Sequence, residues 1–332
     1  MKARLHWVDT LKATCIICVY FAHTEIFIDY NTVLGKFVYP FYVNAFFFIS
    51  GYLLYRKYLH CNFNYSLTEF KNGVLNCIYR LAIPTIIFSV IIYIPKILFH
   101  NQAFNLKVFA TDIFGGTSFW FTSALFIAQI TILFMFLTKK KSILFYLIST
   151  SFIFITLQTI CDFTPQPAIN YFPWFWRTGL IYTFIMTIGG VYAKYENEIN
   201  MWIIAPMICT SVIGYYMIYI GEIVPCLGLS GRCNVTGLIT SISTIIILAE
   251  IVKHLNAVQV LTYIGKNSII FYFFSGAIPA LISTTMIKIG IQGISLLLVS
   301  FLLSISCSYI LTHIIVMHFS FLTDIRLLKK QG

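Results

Sequence analysis

Charged residues are scarce in this sequence. Asp, Glu, Lys and Arg make up only 10% of the 332 residues, whereas a typical soluble domain uses about a quarter. Hydrophobic residues account for 59% of the chain, and the mean hydropathy is +0.86. So few charges cannot cover the water-facing surface of a soluble chain of this length. The composition therefore excludes a soluble globular enzyme, a disordered chain and a disulfide-stabilised secreted module, and it predicts an integral membrane protein.

The sequence also lacks the clusters that bind metals or nucleic acids. Cys15 and Cys18 form a C-x-x-C pair, but no second pair and no histidine cluster accompanies them in the sequence, so we expect no metal. The net charge is +11, yet the basic residues are spread over loops between apolar runs rather than gathered in one patch. We therefore expect no nucleic-acid partner, and we expect membrane lipids to surround the protein.

Long apolar runs dominate what is present. A membrane-spanning helix needs about 20 mostly apolar residues, and ten stretches meet that requirement: roughly 7–28, 36–55, 74–98, 118–137, 142–160, 175–193, 201–220, 235–253, 264–288 and 292–317. We expect an all-α, polytopic membrane bundle of about ten transmembrane helices. It would form a single integral-membrane domain over residues 1–332, with no appended soluble domain.

The basic residues predict the orientation of the chain. If the N-terminus is cytoplasmic, the loops on its side of the membrane hold most of the lysines and arginines, including the run Lys139–Lys141. The positive-inside rule then places both termini in the cytoplasm. The loop that contains Cys226 and Cys233 would face outward, where oxidising conditions allow these two cysteines to form a disulfide.

Three ionisable residues of the first apolar stretch are candidates for chemistry, because an ionisable group there is costly unless it is paired or hydrated. They are Asp9, Lys12 and His23. In a helix, Lys12 and His23 would lie about 20° apart around the axis and roughly 16 Å apart along it. Asp9, one turn before Lys12, is close enough to pair with it. This spacing suits a long cosubstrate whose phosphates meet Lys12 and whose reactive end reaches His23, as an extended pantetheine arm would.

A structural interpretation of the same residues remains open at this point. Lys12 would extend its ammonium group to the membrane interface, and His23 would be a hydrogen-bonded core histidine. Spacing alone does not decide between these two interpretations.

Four further segments carry motifs that follow the first stretch in a fixed order: "FFFISGYLL" with Ser50, Gly51 and Tyr52, "CIYRLAIP" with Arg80 and Pro84, "FWFTSALF" with Trp120 and Leu125, and "YIGKNSIIFYFFS" with Gly265, Ser268 and Tyr272. Together with "WVDTLKATCIICVYFAH", they resemble the membrane-bound acyltransferase-3 family of bacterial acetyltransferases that modify surface carbohydrates. The matches run from residue 9 to about residue 275. Each motif alone has low specificity, but the five in order are specific.

The resemblance implies roles for individual residues. His23 would be catalytic, Asp9, Lys12 and Arg80 would bind the cosubstrate, and Tyr52, Trp120 and Tyr272 would bind the substrate. The alternatives are a topology charge for Arg80, an interfacial belt tryptophan for Trp120, and close helix packing at Ser50 and Gly51.

Two positions depart from the family pattern. Many members have arginine where this chain has Lys12, which weakens bidentate phosphate recognition. The family often has histidine where this chain has Ser275, so we expect no second catalytic histidine there.

The resemblance also implies a reaction and a location. Acetyl-CoA would be the donor, and the acceptor would be a hydroxyl of a cell-envelope polysaccharide or of its lipid-linked precursor, at the bacterial inner membrane. His23 would act as general base or carry the acetyl group as a covalent intermediate. The alternative is a transporter, flippase or polymerase for lipid-linked glycans. For these we would expect paired intramembrane acids, broken helices or a large outer loop, which the sequence does not clearly contain.

Overall fold

The computed structural model describes residues 5–60, 65–100, 104–163, 173–221 and 233–322, and every regular element in these ranges is helical. In chain order the α-helices are α1 (His6–Ile28), α2 (Val33–Val38), α3 (Tyr42–His60), α4 (Leu67–Cys77), α5 (Ile83–His100), α6 (Leu106–Phe114), α7 (Trp120–Phe136), α8 (Ile143–Phe163), α9 (Trp176–Tyr195), α10 (Met201–Tyr219), α11 (Val235–Lys253), α12 (Gln259–Lys266), α13 (Ser268–Phe274), α14 (Ala277–Lys288) and α15 (Gly293–His318). A π-helical segment, Ile78–Ala82, joins α4 to α5.

Many of these helices are long and apolar enough to cross a membrane. Within the described ranges seven helical stretches qualify, or eight if the bent pair α13 and α14 counts as one span. The prediction of an all-α, multi-pass membrane protein is therefore confirmed. The number of ten spans and the cytoplasmic location of both termini stay predictions.

The chain divides into two compact units. The first contains the described residues of Met1–Phe46, Asn200–Cys226 and Asn234–Ser320, and the second consists mainly of Phe47–Ile199.

In the first unit, α1 is the helix that contacts most of the others, since it packs against α11, α12, α13, α14 and α15. Two buried threonines of α1 form hydrogen bonds within the helix itself. The Thr10 and Thr24 hydroxyls donate hydrogen bonds to the carbonyls of His6 and Tyr20, one turn earlier. Such back-bonding satisfies a hydroxyl that has no water to bind.

In the second unit, glycines allow helices α3 and α9 to approach closely. A Cβ atom at Gly51 would lie 1.9 Å from the Met186 carbonyl oxygen, and one at Gly189 would lie 2.0 Å from the Phe48 carbonyl oxygen. Beside them, the rings of Phe47 and Tyr182 stack with their centroids 3.7 Å apart. The structure thus gives Gly51 the packing role that its motif allowed.

Three of the apolar stretches that the sequence presented as continuous are irregular in the structure. The stretch 36–55 is divided between α2 and α3 around Pro40, which lacks an N–H group and restricts the residue before it. The stretch 74–98 passes through the π-helical segment. The stretch 264–288 is interrupted at Asn267 and bends by 43° between α13 and α14, at Gly276 and shortly before Pro279.

The predicted disulfide falls partly outside the described residues. Cys233 is disulfide-bonded, while Cys226 lies outside the described ranges, so the pairing of these two stays a prediction. Cys15 and Cys18 are free thiols in α1.

Candidate active site

Helix α1 is continuous from His6 to Ile28 and therefore holds Asp9, Lys12 and His23 in fixed register. Its geometry places Lys12 and His23 on one face, roughly 16 Å apart along the axis. Asp9 is buried, whereas Lys12 and His23 are each partly exposed. Ile16 and Val19, which lie on the same face between them, are buried. The face of α1 between Lys12 and His23 is therefore covered by neighbouring parts of the protein rather than exposed to lipid.

The surroundings of His23 are aromatic. Its imidazole stacks on the Phe27 ring, with centroids 6.1 Å apart and an interplanar angle of 24°. One turn before His23, the Tyr20 hydroxyl donates a hydrogen bond of 2.8 Å to the carbonyl oxygen of Phe271. Phe271 directly precedes Tyr272, so this bond fixes the helix that carries the predicted substrate residue Tyr272 to the helix that carries His23.

The first and the last sequence motifs meet at Asp9. A Cβ atom at Gly265 would lie 1.8 Å from the Asp9 carbonyl oxygen, so the backbones of α1 and α12 are in direct contact there. Only glycine permits this approach, because the opposing atom is backbone and cannot rotate away. The glycine of the late motif therefore sets the position of α12 against the helix that carries Lys12.

We expect Gly265→Ala to destabilise the protein by about 1–3 kcal/mol, because the added methyl group must separate α1 from α12. Thermal unfolding of the purified protein in detergent measures the loss. Gly276→Ala is the matched control, since a Cβ atom there meets nothing within 4 Å. Equal unfolding temperatures for the two variants would contradict the close contact.

Tyr52 is fully buried in the second unit, and its hydroxyl forms two hydrogen bonds. It donates to the Glu196 carboxylate at 2.9 Å and accepts from the Arg56 guanidinium at 2.8 Å. A hydroxyl held between a cation and an anion links α3 to the end of α9. The substrate-binding role of Tyr52 stays a prediction, and the structure adds a role in stability.

We expect Tyr52→Phe to cost about 1–3 kcal/mol of unfolding free energy, because both charged partners lose a partly buried hydrogen bond. Unfolding temperature and acceptor KM are measured together. The exposed Tyr195 of the same unit provides the control variant, Tyr195→Phe. An unchanged unfolding temperature with a raised acceptor KM would contradict the role in stability and support substrate contact.

Arg80 and Trp120 also lie in the second unit. Arg80 is exposed and belongs to the π-helical segment Ile78–Ala82, an irregularity that is frequent at functional sites. Trp120 is partly exposed at the first residue of α7, and its ring meets Phe121 edge to face. Both side chains are thus accessible to a ligand.

The predicted site residues fall into two groups. The first unit contains Asp9, Lys12, His23 and Tyr272, and the second contains Tyr52, Arg80 and Trp120.

Sequence reasoning gave too little weight to two buried charged residues. Glu25 is 1% exposed, and one carboxylate oxygen accepts hydrogen bonds from both the backbone N–H, at 2.8 Å, and the hydroxyl of Thr32. Glu25 therefore ties the end of α1 to the beginning of α2. Arg177 is 4% exposed and donates to the Leu157 carbonyl oxygen at 3.0 Å. The only sequence signal for either was a charge inside or beside an apolar run.

Comparison with known proteins identifies the family. A protein family described as "Acyltransferase domain", the acyltransferase-3 family, matches residues 5–313. No curated protein and no solved structure shows a significant match. Because the match covers most of the 332 residues, the chain belongs to the acyltransferase-3 family, and it is a membrane acyltransferase.

Proposed function

We propose that this acyltransferase is an O-acetyltransferase of the bacterial cytoplasmic membrane. It moves an acetyl group from acetyl-CoA to a hydroxyl of a cell-envelope polysaccharide or of its lipid-linked precursor. The observation that carries the proposal is the single unbroken helix α1, which presents the partly exposed Lys12 and His23 on one face of an otherwise largely buried helix.

The donor would bind with its phosphates near Lys12 and its thioester near His23. A lysine ammonium is a point charge that holds a phosphate without the bidentate geometry of arginine. Asp9 would keep Lys12 charged and oriented in the apolar surroundings of α1. The exposed Arg80 is the second cation that we assign to the donor.

His23 would act as general base on the acceptor. A neutral imidazole removes the proton from the sugar hydroxyl as that oxygen attacks the thioester carbonyl carbon. The C–S bond then breaks, and the imidazolium returns the proton to the leaving CoA thiolate, so that His23 is neutral again. Alternatively, His23 would first take the acetyl group from the donor as an acetyl-imidazole and then pass it to the acceptor. Two separate steps suit a donor on one side of the membrane and an acceptor on the other.

The acceptor would contact aromatic side chains. Trp120 and Tyr272 are partly exposed, and an aromatic ring offers an apolar face to a sugar and, in tyrosine, a polar end. We therefore assign both of them to the acceptor.

The experiment that tests the proposal follows the thioester directly. Purified protein is incubated with acetyl-CoA labelled in the acetyl group, with and without an extracted polysaccharide acceptor, and free CoA thiol and labelled glycan are measured. We expect protein-dependent release of CoA that increases when acceptor is present, together with alkali-labile label on the glycan. Folded protein that binds acetyl-CoA but neither hydrolyses it nor transfers its label would contradict the proposal.

A further inference from the structure

A cleft of about 290 Å³ opens in the first unit at the N-terminal end of α1. Its lining residues are His6, Ala257, Gln259, Thr262, Tyr263 and Lys266. The last four recur at the spacing of one helical face, so the cleft lies between one face of α12 and the first residue of α1. No residue in this set was predicted as part of a site.

Two helices begin at this cleft, and neither has a side-chain cap. His6 is the first residue of α1 and Gln259 is the first residue of α12, and neither Leu5 nor Val258 caps its helix with a side-chain hydrogen bond. The first N–H groups of a helix have no partner within the helix, and the helix dipole makes that end positive. Two such ends in one cleft favour an anion.

Lys266 has no acidic counterpart among the described residues that line the cleft. Lys266 and His6 form no ion pair within the described residues, and none of the described lining residues is acidic. The neighbouring Lys253, in contrast, is paired with Glu250 at 3.0 Å. Lys266 therefore brings an uncompensated positive charge to the cleft.

A buried hydroxyl in the cleft provides independent support for a ligand. Thr262 is only 9% exposed, and within the described residues its Oγ1 atom has no hydrogen-bond partner. A buried polar atom that stays unpaired costs about 1–3 kcal/mol, and a bound acceptor atom would remove that cost. Beside it, the Tyr263 ring is partly exposed, and its hydroxyl lies 3.5 Å from the His313 Nδ1 atom.

We propose that this cleft binds the phosphate-bearing nucleotide end of the acyl donor. The inference rests on the proposed function, and it adds a nucleotide subsite to the contact that we assigned to Lys12. Thr262, Lys266 and the two helix N-termini would hold phosphate oxygens, and the Tyr263 ring would lie against the base.

The dimensions of α1 agree with this placement. Lys12 lies about 9 Å beyond His6 along the helix axis and about 120° around it, and His23 lies roughly 16 Å beyond Lys12. A donor with its nucleotide in the cleft would pass its remaining phosphates to Lys12. Its pantetheine arm would then extend along the helix to His23.

Binding of the nucleotide alone tests this subsite. We would measure binding of adenosine 3′,5′-bisphosphate and of CoA to full-length protein in zwitterionic nanodiscs. Lys266→Met is expected to weaken both about tenfold, because a charge-assisted hydrogen bond is lost, and Thr262→Val is expected to weaken both several-fold. Lys288→Met, which removes an exposed lysine from the same unit outside the cleft, is the matched control and should bind like the wild type.

The outcomes separate this inference from the proposed function. If wild-type protein binds both ligands and the two cleft variants bind them equally well, the subsite is wrong and the acyltransferase reaction is unaffected. If Lys266→Met loses binding only of nanodiscs or vesicles that contain anionic phospholipid, the cleft holds a lipid phosphate and the inference is overturned. If CoA binds but the wild type turns over no thioester, the proposed function fails while the subsite stands.

Discussion

Replacing His23 with alanine is expected to lower the turnover number by about 10²–10⁴-fold, because the proton acceptor is needed only in the transition state. The KM for acetyl-CoA should change little, since an interaction made only in the transition state affects kcat and kcat/KM together. The measurement is steady-state transfer of acetyl from acetyl-CoA to glycan by purified protein.

The control for His23→Ala is His318→Ala, which removes an exposed imidazole at the end of α15. Its turnover should equal that of the wild type. The unfolding temperature of each variant is measured as well, because His23 also packs on Phe27. Well-folded His23→Ala protein that transfers acetyl at the native rate would contradict the mechanism.

Replacing Lys12 with alanine is expected mainly to raise the apparent KM for acetyl-CoA, by roughly tenfold or more, because a charged contact to phosphate is lost. Lys12→Arg should keep or improve donor binding, since guanidinium binds phosphate at two oxygens. Added salt should weaken donor binding more in the wild type than in Lys12→Ala. A KM that does not change in Lys12→Ala would exclude the phosphate contact.

The Lys12→Ala experiment needs a separate control for the stability of the protein. Removing Lys12 alone takes a positive charge away from the neighbourhood of the buried Asp9 carboxylate, and this loss would itself destabilise the protein. The double variant Asp9→Asn with Lys12→Gln removes both charges together. If it is as stable as the wild type but retains the raised KM, the effect of Lys12 belongs to donor binding.

The sequence predicted helix positions best where hydropathy alone decides them. The predicted stretch 235–253 coincides with α11 (Val235–Lys253), and 7–28 differs from α1 (His6–Ile28) by one residue. The continuity of the helices was predicted less well. Hydropathy measures how readily a segment transfers into lipid, and it does not show where a helix bends. The stretch 264–288 is apolar enough for one span, yet a bend at Gly276, three residues before Pro279, divides it.

The site was predictable only where its residues share one helix. The register of Asp9, Lys12 and His23 follows from helical spacing, and α1 is unbroken between them. The contact of Gly265 with Asp9 joins positions far apart in the chain and depends on tertiary packing. The cleft at α12 depends on that packing too, and periodicity alone could not have predicted it.

The central claim is tested most directly by the mass of the surface polysaccharide. Cells that make wild-type protein, cells that make His23→Ala at equal membrane abundance, and cells without the protein are compared by mass spectrometry of the repeat units. The account predicts a mass increase of one acetyl group per modified unit in the wild type, lost on mild alkali treatment and absent from the other two. Equal acetyl content in all three, or shortened glycan chains without a change in acetyl content, would contradict it.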